Sequence, residues 1–483
     1  MTPLLVVLGV PAGAAIVLAF ISQWRLAAWL NVAASAATFA AAATLFVAER
    51  PEPGHLLLVD DFNIYLIALT AFVALTTAVF SASYIAHEVR RRRLTPRLLR
   101  FYHAMYQAFI GSMLMALSAD NLGLMWVAVE GATLSTALMV SLYRTPAAIE
   151  AAWKYFILCG VGIALALFGT MLMYLAAQPA LGEGMAAVTW STLMAHAADF
   201  DPALLNVAFV FLLVGYGTKV GLAPFHAWLP DAHAEGPTPI SAVLSGLLLN
   251  VALYAVLRFK MLLAANPQAL APGPLMIGMG LLSLSLAALM LYRRRDIKRL
   301  FAYSSIEHMG IAAFAFGMGG PLANFAGLLH MTMHSLVKAA IFFTVGHVSQ
   351  VKGTQRIADI SGLTTSHPAL GWSLVAGVVA IAGLPPFGVF TSEFLVVSST
   401  FARQPLLALP VAVGLLVGFG ALLLRLHQLA FGPPSPNARV GGRTVPTLSL
   451  LPIWLHLALA LVAGIYLPAP LVAWFQSVAR LLG

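Results

Sequence analysis

The chain has 483 residues, of which 61% are hydrophobic and only 9% charged, with a mean hydropathy of +0.91. That balance excludes the soluble classes, because no water-surrounded core could absorb so much apolar surface. Its single cysteine, Cys159, excludes a disulfide framework and a cysteine-ligated metal or iron-sulfur centre within the chain, and the net charge of +9 leaves nucleic acid or a membrane surface as the partner to decide between.

Apolar runs of about 20 residues predict fourteen spans: 3–22, 27–47, 62–86, 101–118, 121–142, 153–177, 205–228, 239–261, 274–292, 300–318, 322–349, 369–393, 404–430 and 446–468. The first run lacks a basic leader and reads as the first span rather than a cleavable signal. Counted over alternate loops, nineteen Lys and Arg fall on one side, including Arg439 and Arg443, and five on the other. By the positive-inside bias the first set is cytoplasmic and both termini are outside. The positive charge is thus topological, and nucleic acid falls away. Lys219 and Lys338 are the two cations left inside spans.

A charge in the hydrocarbon layer costs at least about 2.5 to 3.5 kcal/mol, so an ionisable group deep in a span points to function. Glu130 lies in the middle of "NLGLMWVAVEGATLSTALMV", too deep for a carboxylate to reach water. Lys219 follows in "VGYGTKVGLAPFHAWLPDAH", where Gly215, Gly217 and Gly221 allow a close neighbour and Pro224 breaks the helix, freeing a carbonyl about one turn back. Broken backbone at that depth predicts a polar, hydrated pocket for the lysine. Burial disfavours the charged form of both Glu130 and Lys219, and proximity restores both, so such a pair makes a usable switch. The residues between the spans, with His226, Asp231, His233, Glu235 and prolines at 230, 237 and 239, read as a linking loop rather than a zinc site. Arg258 and Lys260 read as interfacial.

Glu307 and His308 sit early in the tenth span, beside a basic loop, where a solvated cap is the alternative to a role in transport. In the eleventh span His330, His334 and Lys338 recur every four residues and line one face. Two histidines at that spacing suit a metal, a hydrogen-bonded interface or a proton relay; no third ligand is visible and Lys338 repels a cation, so no metal is expected. The twelfth span repeats the broken-helix device in "IAGLPPFGVFTSEF", with Pro385 and Pro386 ahead of Glu393. Two breaks five spans apart are the pattern of inverted repeats around a midplane ion site. No phosphate loop, nucleophile elbow or dinucleotide fingerprint appears, so the chain by itself does not read as an enzyme.

The stretches "KVGLAPFHAWLPDAHAEGPTPISAVLSG", "RRDIKRLFAYSSIEHMG", "HMTMHSLVKAAIFFTVGHV" and "GLPPFGVFTSEF" resemble the antiporter-like subunits of respiratory complex I, of multi-subunit cation/proton antiporters and of membrane-bound nickel-iron hydrogenases, over about residues 60–430. Within that family "AYSSIEHMG" and the length look most similar to the hydrogenase-4 branch, found in formate hydrogenlyase-type complexes. The resemblance implies an all-α fold of fourteen transmembrane helices with helices seven and twelve broken, divided into 1–100, an inverted pair at 101–265 and 270–430, and a terminal unit at 440–483. It implies that Glu130 pairs with Lys219, that His334 and Lys338 lie on a central hydrophilic axis, and that Glu393 is a terminal proton site. One departure is Asn250 in "LLLNVALYAVLRF", where ion-transporting members carry lysine or histidine; asparagine can bind a water but cannot hold a proton.

The function so implied is proton translocation through Glu130, Lys219, Asn250 with water, Glu307, His308, His330, His334, Lys338 and Glu393, coupled to redox chemistry in partner subunits of a hydrogenase, formate hydrogenlyase or complex I-like assembly. Iron-sulfur, nickel-iron or flavin groups belong to those partners and none to this chain. The implied location is the bacterial cytoplasmic membrane. The alternatives are a sodium/proton antiporter subunit and a non-pumping structural anchor.

Overall fold

A computed structural model describes residues 2–54, 56–433 and 445–483, and within them the chain is helical with no strand beyond three isolated bridges. Arg439, Arg443 and the start of the expected terminal unit at 440 lie outside the described residues. In chain order the helices are α1 (Thr2–Leu18), α2 (Trp24–Thr44), α3 (Asp61–Arg90), α4 (Pro96–Ser118), α5 (Leu122–Val140), α6 (Pro146–Leu181), α7 (Trp190–His196), α8 (Pro202–Val220), α9 (Trp228–Glu235), α10 (Thr238–Val243) and α11 (Leu249–Ala264). They continue with α12 (Gly273–Leu291), α13 (Ile297–Met318), α14 (Gly320–Lys352), α15 (Ile357–Ile360), α16 (Leu363–Ser366), α17 (Pro368–Ile381), α18 (Gly388–Arg403), α19 (Pro405–Ala430), α20 (Leu451–Ile465) and α21 (Ala469–Leu481). A π-turn at Leu244–Leu248 joins α10 to α11 into one crossing. Each of the fourteen expected spans falls on a helix, with the seventh divided between α8 and α9 and the twelfth between α17 and α18.

The starts are written locally. Asp60, Thr95, Asn121, Thr145, Asp201 and Asp296 each accept from the backbone N–H three residues on, and proline follows the cap at 96, 146 and 202, where its missing N–H costs nothing. Between them lie helices whose packing is set by small residues. On α8, Gly215 faces α6 so closely that a Cβ would stand 2.6 Å from the Gly162 carbonyl oxygen and the Ala166 nitrogen. Without water to drive helices together, such close backbone approach is what holds them.

Several expectations are corrected. α8 ends at Val220, before Pro224: Gly221 adopts φ +81°, its N–H bonds the Thr218 carbonyl and Leu222 N–H bonds Gly217 O. The carbonyl of Thr218 is met again by the indole N–H of Trp228 at 2.8 Å. The stretch read as a linking loop holds α9, a buried helix, because Pro230 sits in its first turn, where proline is tolerated. Arg258 and Lys260 are buried, 2% and 5% exposed, rather than interfacial. Lys298, counted among the loop cations, is buried as well and donates to the carbonyls of Ala234 and Gly236 at the end of α9. Glu307 and His308 are 3% and 2% exposed, so neither is a solvated cap. Short elements unforeseen in the apolar pattern, α7, α15, α16 and the amphipathic α21, complete the fold; the Trp474 indole on α21 donates to the Asp61 carbonyl at 2.9 Å.

One polar clamp closes the face opposite the arginine-rich segment 90–93. Arg258 bonds Asp60 at 2.7 Å and the Tyr254 hydroxyl at 2.9 Å, and its guanidinium lies 4.3 Å from the centre of the Trp190 ring. Asp60 divides its oxygens, one capping α3 and one holding Arg258. Alongside, Asp120 in the loop before α5 accepts from the N–H and the hydroxyl of Ser191. Burial raises this carboxyl above its ordinary range, against the lowering effect of the Ser191 bonds and the Arg258 charge.

Candidate functional site: a buried polar line between two helix breaks

The two breaks share a sequence, Gly221-Leu222-Ala223-Pro224-Phe225 and Gly383-Leu384-Pro385-Pro386-Phe387, and a geometry. Gly383 has φ +69°, its N–H bonds Ala380 O, and Leu384 N–H bonds Val379 O, matching the pattern at Gly221 bond for bond. The peptide bonds before Pro224 and Pro386 are both cis. Both helices therefore end in the same tight left-handed turn, whose prolines, Pro224, Pro385 and Pro386, are exposed, and each break has an ionisable side chain beside it.

At the first break Lys219, on the last turn of α8, has no exposed surface. Its Nζ donates to the Tyr155 hydroxyl at 3.2 Å and lies 4.7 Å from the Tyr155 ring centre and 5.9 Å from that of Trp228. Thr136 spends its proton on helix carbonyls, so the Tyr155 hydroxyl donates to Thr136 Oγ1 at 2.7 Å and keeps its oxygen for the lysine. Glu130 does not close an ion pair with Lys219: its carboxylate makes no contact with the lysine, and Oε2 is buried without a partner. The expected pair is thus held apart, with an aromatic and hydroxyl cage on the lysine.

In the middle, Asn250 stands two residues after the end of the π-turn. Ser335 Oγ donates to Gly246 O at 2.6 Å and so accepts from Asn250 Nδ2 at 2.7 Å; a second bond runs from Nδ2 to Met331 O at 3.2 Å. Asn250 Oδ1 remains a buried, unmatched acceptor. From the same π-turn, Ser245 Oγ reaches Ser305 Oγ at 2.7 Å, Ser305 donates to Phe301 O, and Lys338 Nζ donates to that carbonyl at 2.9 Å. This chain joins α10, α13 and α14.

Lys338 is fully buried, and Glu307 on α13 is the carboxylate nearest it electrostatically, with Oε2 unpartnered. Gly418 on α19 makes the room for Glu307, since a Cβ there would collide with the carboxylate. Further along, His308 Nδ1 and His330 Nε2 are 3.1 Å apart, His330 Nδ1 meets Ser392 Oγ at 2.9 Å, and Glu393 Oε1 is 3.9 Å from His308. The missing Cβ of Gly383 lets the Glu393 carboxylate seat against the second break. His334 keeps both ring nitrogens buried and unpartnered, its ring centre 5.9 Å from that of His308.

All nine polar residues singled out in the sequence are therefore buried or half-buried on α5, α8, α11, α13, α14 and α18. Sequence reading missed Tyr155, Trp228, Ser245, Ser305, Ser335, Ser392 and Gly418. It also missed His233, fully buried on α9, stacked 5.0 Å from Phe342 and without a partner for either nitrogen. The repeat of Gly-Leu-x-Pro-Phe was a signal available for the breaks; the serines carried none.

An all-helical, multi-pass membrane protein with two like-built breaks and a buried line of lysine, carboxylate and histidine is an antiporter-like membrane subunit by fold and site. Residues 119–419 match the family described as NADH:quinone oxidoreductase/Mrp antiporter, TM, and the chain belongs to that family. The chain is 61% identical over 468 residues to the hydrogenase-4 component F homolog of Methylacidiphilum infernorum (isolate V4), covering 97% of both chains. The same fold occurs in the archaeal membrane-bound sulfane sulfur reductase, with TM-score 0.87 and 22% identity over 99% of this chain and 97% of that one. It occurs again in respiratory complex I from Thermus thermophilus, with TM-score 0.82 and 22% identity over the whole of both chains.

Proposed function

We propose that this chain is the proton-translocating, antiporter-like subunit of a membrane-bound hydrogenase, formate hydrogenlyase or complex I-like assembly, driven by redox chemistry in its partners. The observation that carries the reading is the pair of matching helix breaks with Lys219 at one, Glu393 at the other and a buried polar line between. The proton route runs from Glu130 to Lys219, past Asn250 and its free Oδ1 with water, to Lys338, Glu307, His334, His308, His330 and Glu393. Residues 101–265 and 270–430 act as the two inverted units, each bending at its break, with 1–100 and the segment from 440 as flanks. The membrane is the bacterial cytoplasmic membrane, both termini face outward, and the redox groups sit in partner subunits.

The energetic scale is consistent: one charge moved against about 150 mV costs about 3.5 kcal/mol, within the range of several kcal/mol by which burial destabilises a lysine charge. Proton uptake by proteoliposomes holding the purified assembly, with its native redox reaction running in sodium-free buffer, tests the reading. We expect uptake without sodium, and its loss in Glu130→Gln with electron transfer retained. Uptake that requires sodium would favour the cation antiporter instead, and unchanged uptake in the variant would favour the structural anchor.

A further inference from the structure

In the sequence His330 and His334 had no third metal ligand, and the fold supplies two. Ligand atoms of His308, His330 and Glu393 all lie within 4.8 Å of one another. Hydrogen-bond bookkeeping decides which lone pairs face inward. Ser392 Oγ donates its one proton to the Val389 carbonyl at 2.7 Å, so it accepts from His330 Nδ1 and leaves Nε2 as a lone pair that accepts from His308 Nδ1–H; a metal ion would take the place of that proton, with the neutral His308 ring carrying its hydrogen on Nε2 instead. An outer nitrogen fixed by such a bond is how ligating histidines are oriented.

Two imidazole nitrogens 3.1 Å apart, with a carboxylate oxygen 3.9 Å away, form a pocket for a cation. Donors at about 2.0–2.1 Å around tetrahedral zinc stand about 3.4 Å from one another, so the histidine nitrogens at 3.1 Å are near that spacing, and binding needs the two rings to turn their nitrogens toward a common point and Glu393 to close in from 3.9 Å. His334 stands outside this close group, its ring centre 5.9 Å from that of His308, but both its nitrogens are buried with nothing to bond, so it is the side chain placed to move in as a fourth donor. Access runs past Glu393, whose side chain is 13% exposed while His308 is 2% exposed. The positive charge of Lys338, one turn beyond His334, is faced by the carboxylate of Glu307.

We infer that His308, His330, Glu393 and His334 form a site for a divalent transition-metal ion, zinc above all, and that a bound ion arrests proton movement at the second break. Nitrogen and carboxylate donors without sulfur suit zinc and copper rather than calcium or magnesium. The arrest rests on the proton reading above; the binding does not.

The test uses the purified complex, freed of metal and re-equilibrated with zinc chloride, examined by zinc content and zinc-edge X-ray absorption in wild type and in His308→Ala/His330→Ala. We expect one more zinc per complex in wild type, with imidazole scattering, and a zinc affinity about 10–100-fold weaker in Ser392→Ala. Equal zinc in wild type and the double variant, or no imidazole scattering in wild type, overturns the site; the wild-type spectrum decides this even if the variant fails to fold. Proton uptake that falls as the site fills supports the arrest, and uptake unchanged with zinc bound overturns it. Absence of zinc beside Glu130-dependent uptake sinks the metal inference alone.

Discussion

Lys219→Ala will lower redox-driven proton uptake by at least about tenfold, the equivalent of about 1.4 kcal/mol or more on the limiting barrier, while the assembly still forms and still transfers electrons. Lys219 makes no close ion pair, so its removal breaks no direct salt bridge; the carboxylate it acts on from a distance, Glu130, is half-buried and can take up a proton, which keeps the cost to the fold below that of a broken buried pair. What is lost is the buried ammonium at the first break through which the proposed route takes and releases its proton. Lys219→Arg will not rescue uptake: guanidinium does not give up its proton, and the Tyr155 and Trp228 cage is shaped around an ammonium. Uptake in the two variants beside the rate of the redox reaction checks this, and recovery in the arginine variant would sink the role given to the lysine.

Arg258→Leu will act on assembly instead of transport. The arginine holds Asp60, Tyr254 and the face of Trp190, tying α3, α7 and α11 together, and its loss strands the Asp60 oxygen that faced it. Breaking a fully buried pair from one side costs about 3–5 kcal/mol; Asp60 is 24% exposed, so the cost here falls below that range but remains large beside the margin of an ordinary domain. The measurement is the yield of monodisperse complex, and Asp60→Asn with Arg258→Leu will recover part of it because no unpaired charge remains. A single variant that assembles at wild-type yield would mean the clamp is dispensable.

The contrast between these two residues shows what was legible beforehand. Lys219 declared itself because a charge, three glycines and a proline crowd one apolar run, and every one of those signals is local. Arg258 was misread because its partner Asp60 is distant in sequence, and a cation near the end of an apolar run looks the same whether it reaches water or a half-buried aspartate. The segment around His233 was misread for a different reason. Its prolines were counted as breakers, yet Pro230 and Pro239 occupy first turns, where proline helps a helix start. At the second break the His330, His334 and Lys338 stripe was visible from its four-residue spacing, whereas the arrival of His308 from α13 and Glu393 from α18 depends on packing that spacing does not encode. The position of Gly418, which reads as a small residue in an apolar helix, gains meaning only when Glu307 is seen to fill its space.

Asn250 carries the same lesson for function. Read by its side chain alone it interrupts a path of titratable groups. In place, it turns its amide toward Ser335 and Met331 and leaves Oδ1 a buried acceptor without a partner beside a π-turn, one of the two to four polar groups that hold a bridging water.

The most direct test of a single line joining the two breaks is the number of protons taken up per electron transferred, measured on reconstituted wild type, Lys219→Ala and Lys338→Ala. A path in series is cut equally at either lysine, so both variants will show the same lowered ratio. A Lys338→Ala complex that keeps the wild-type ratio while Lys219→Ala loses it would contradict the account, because the second break would then lie off the proton path.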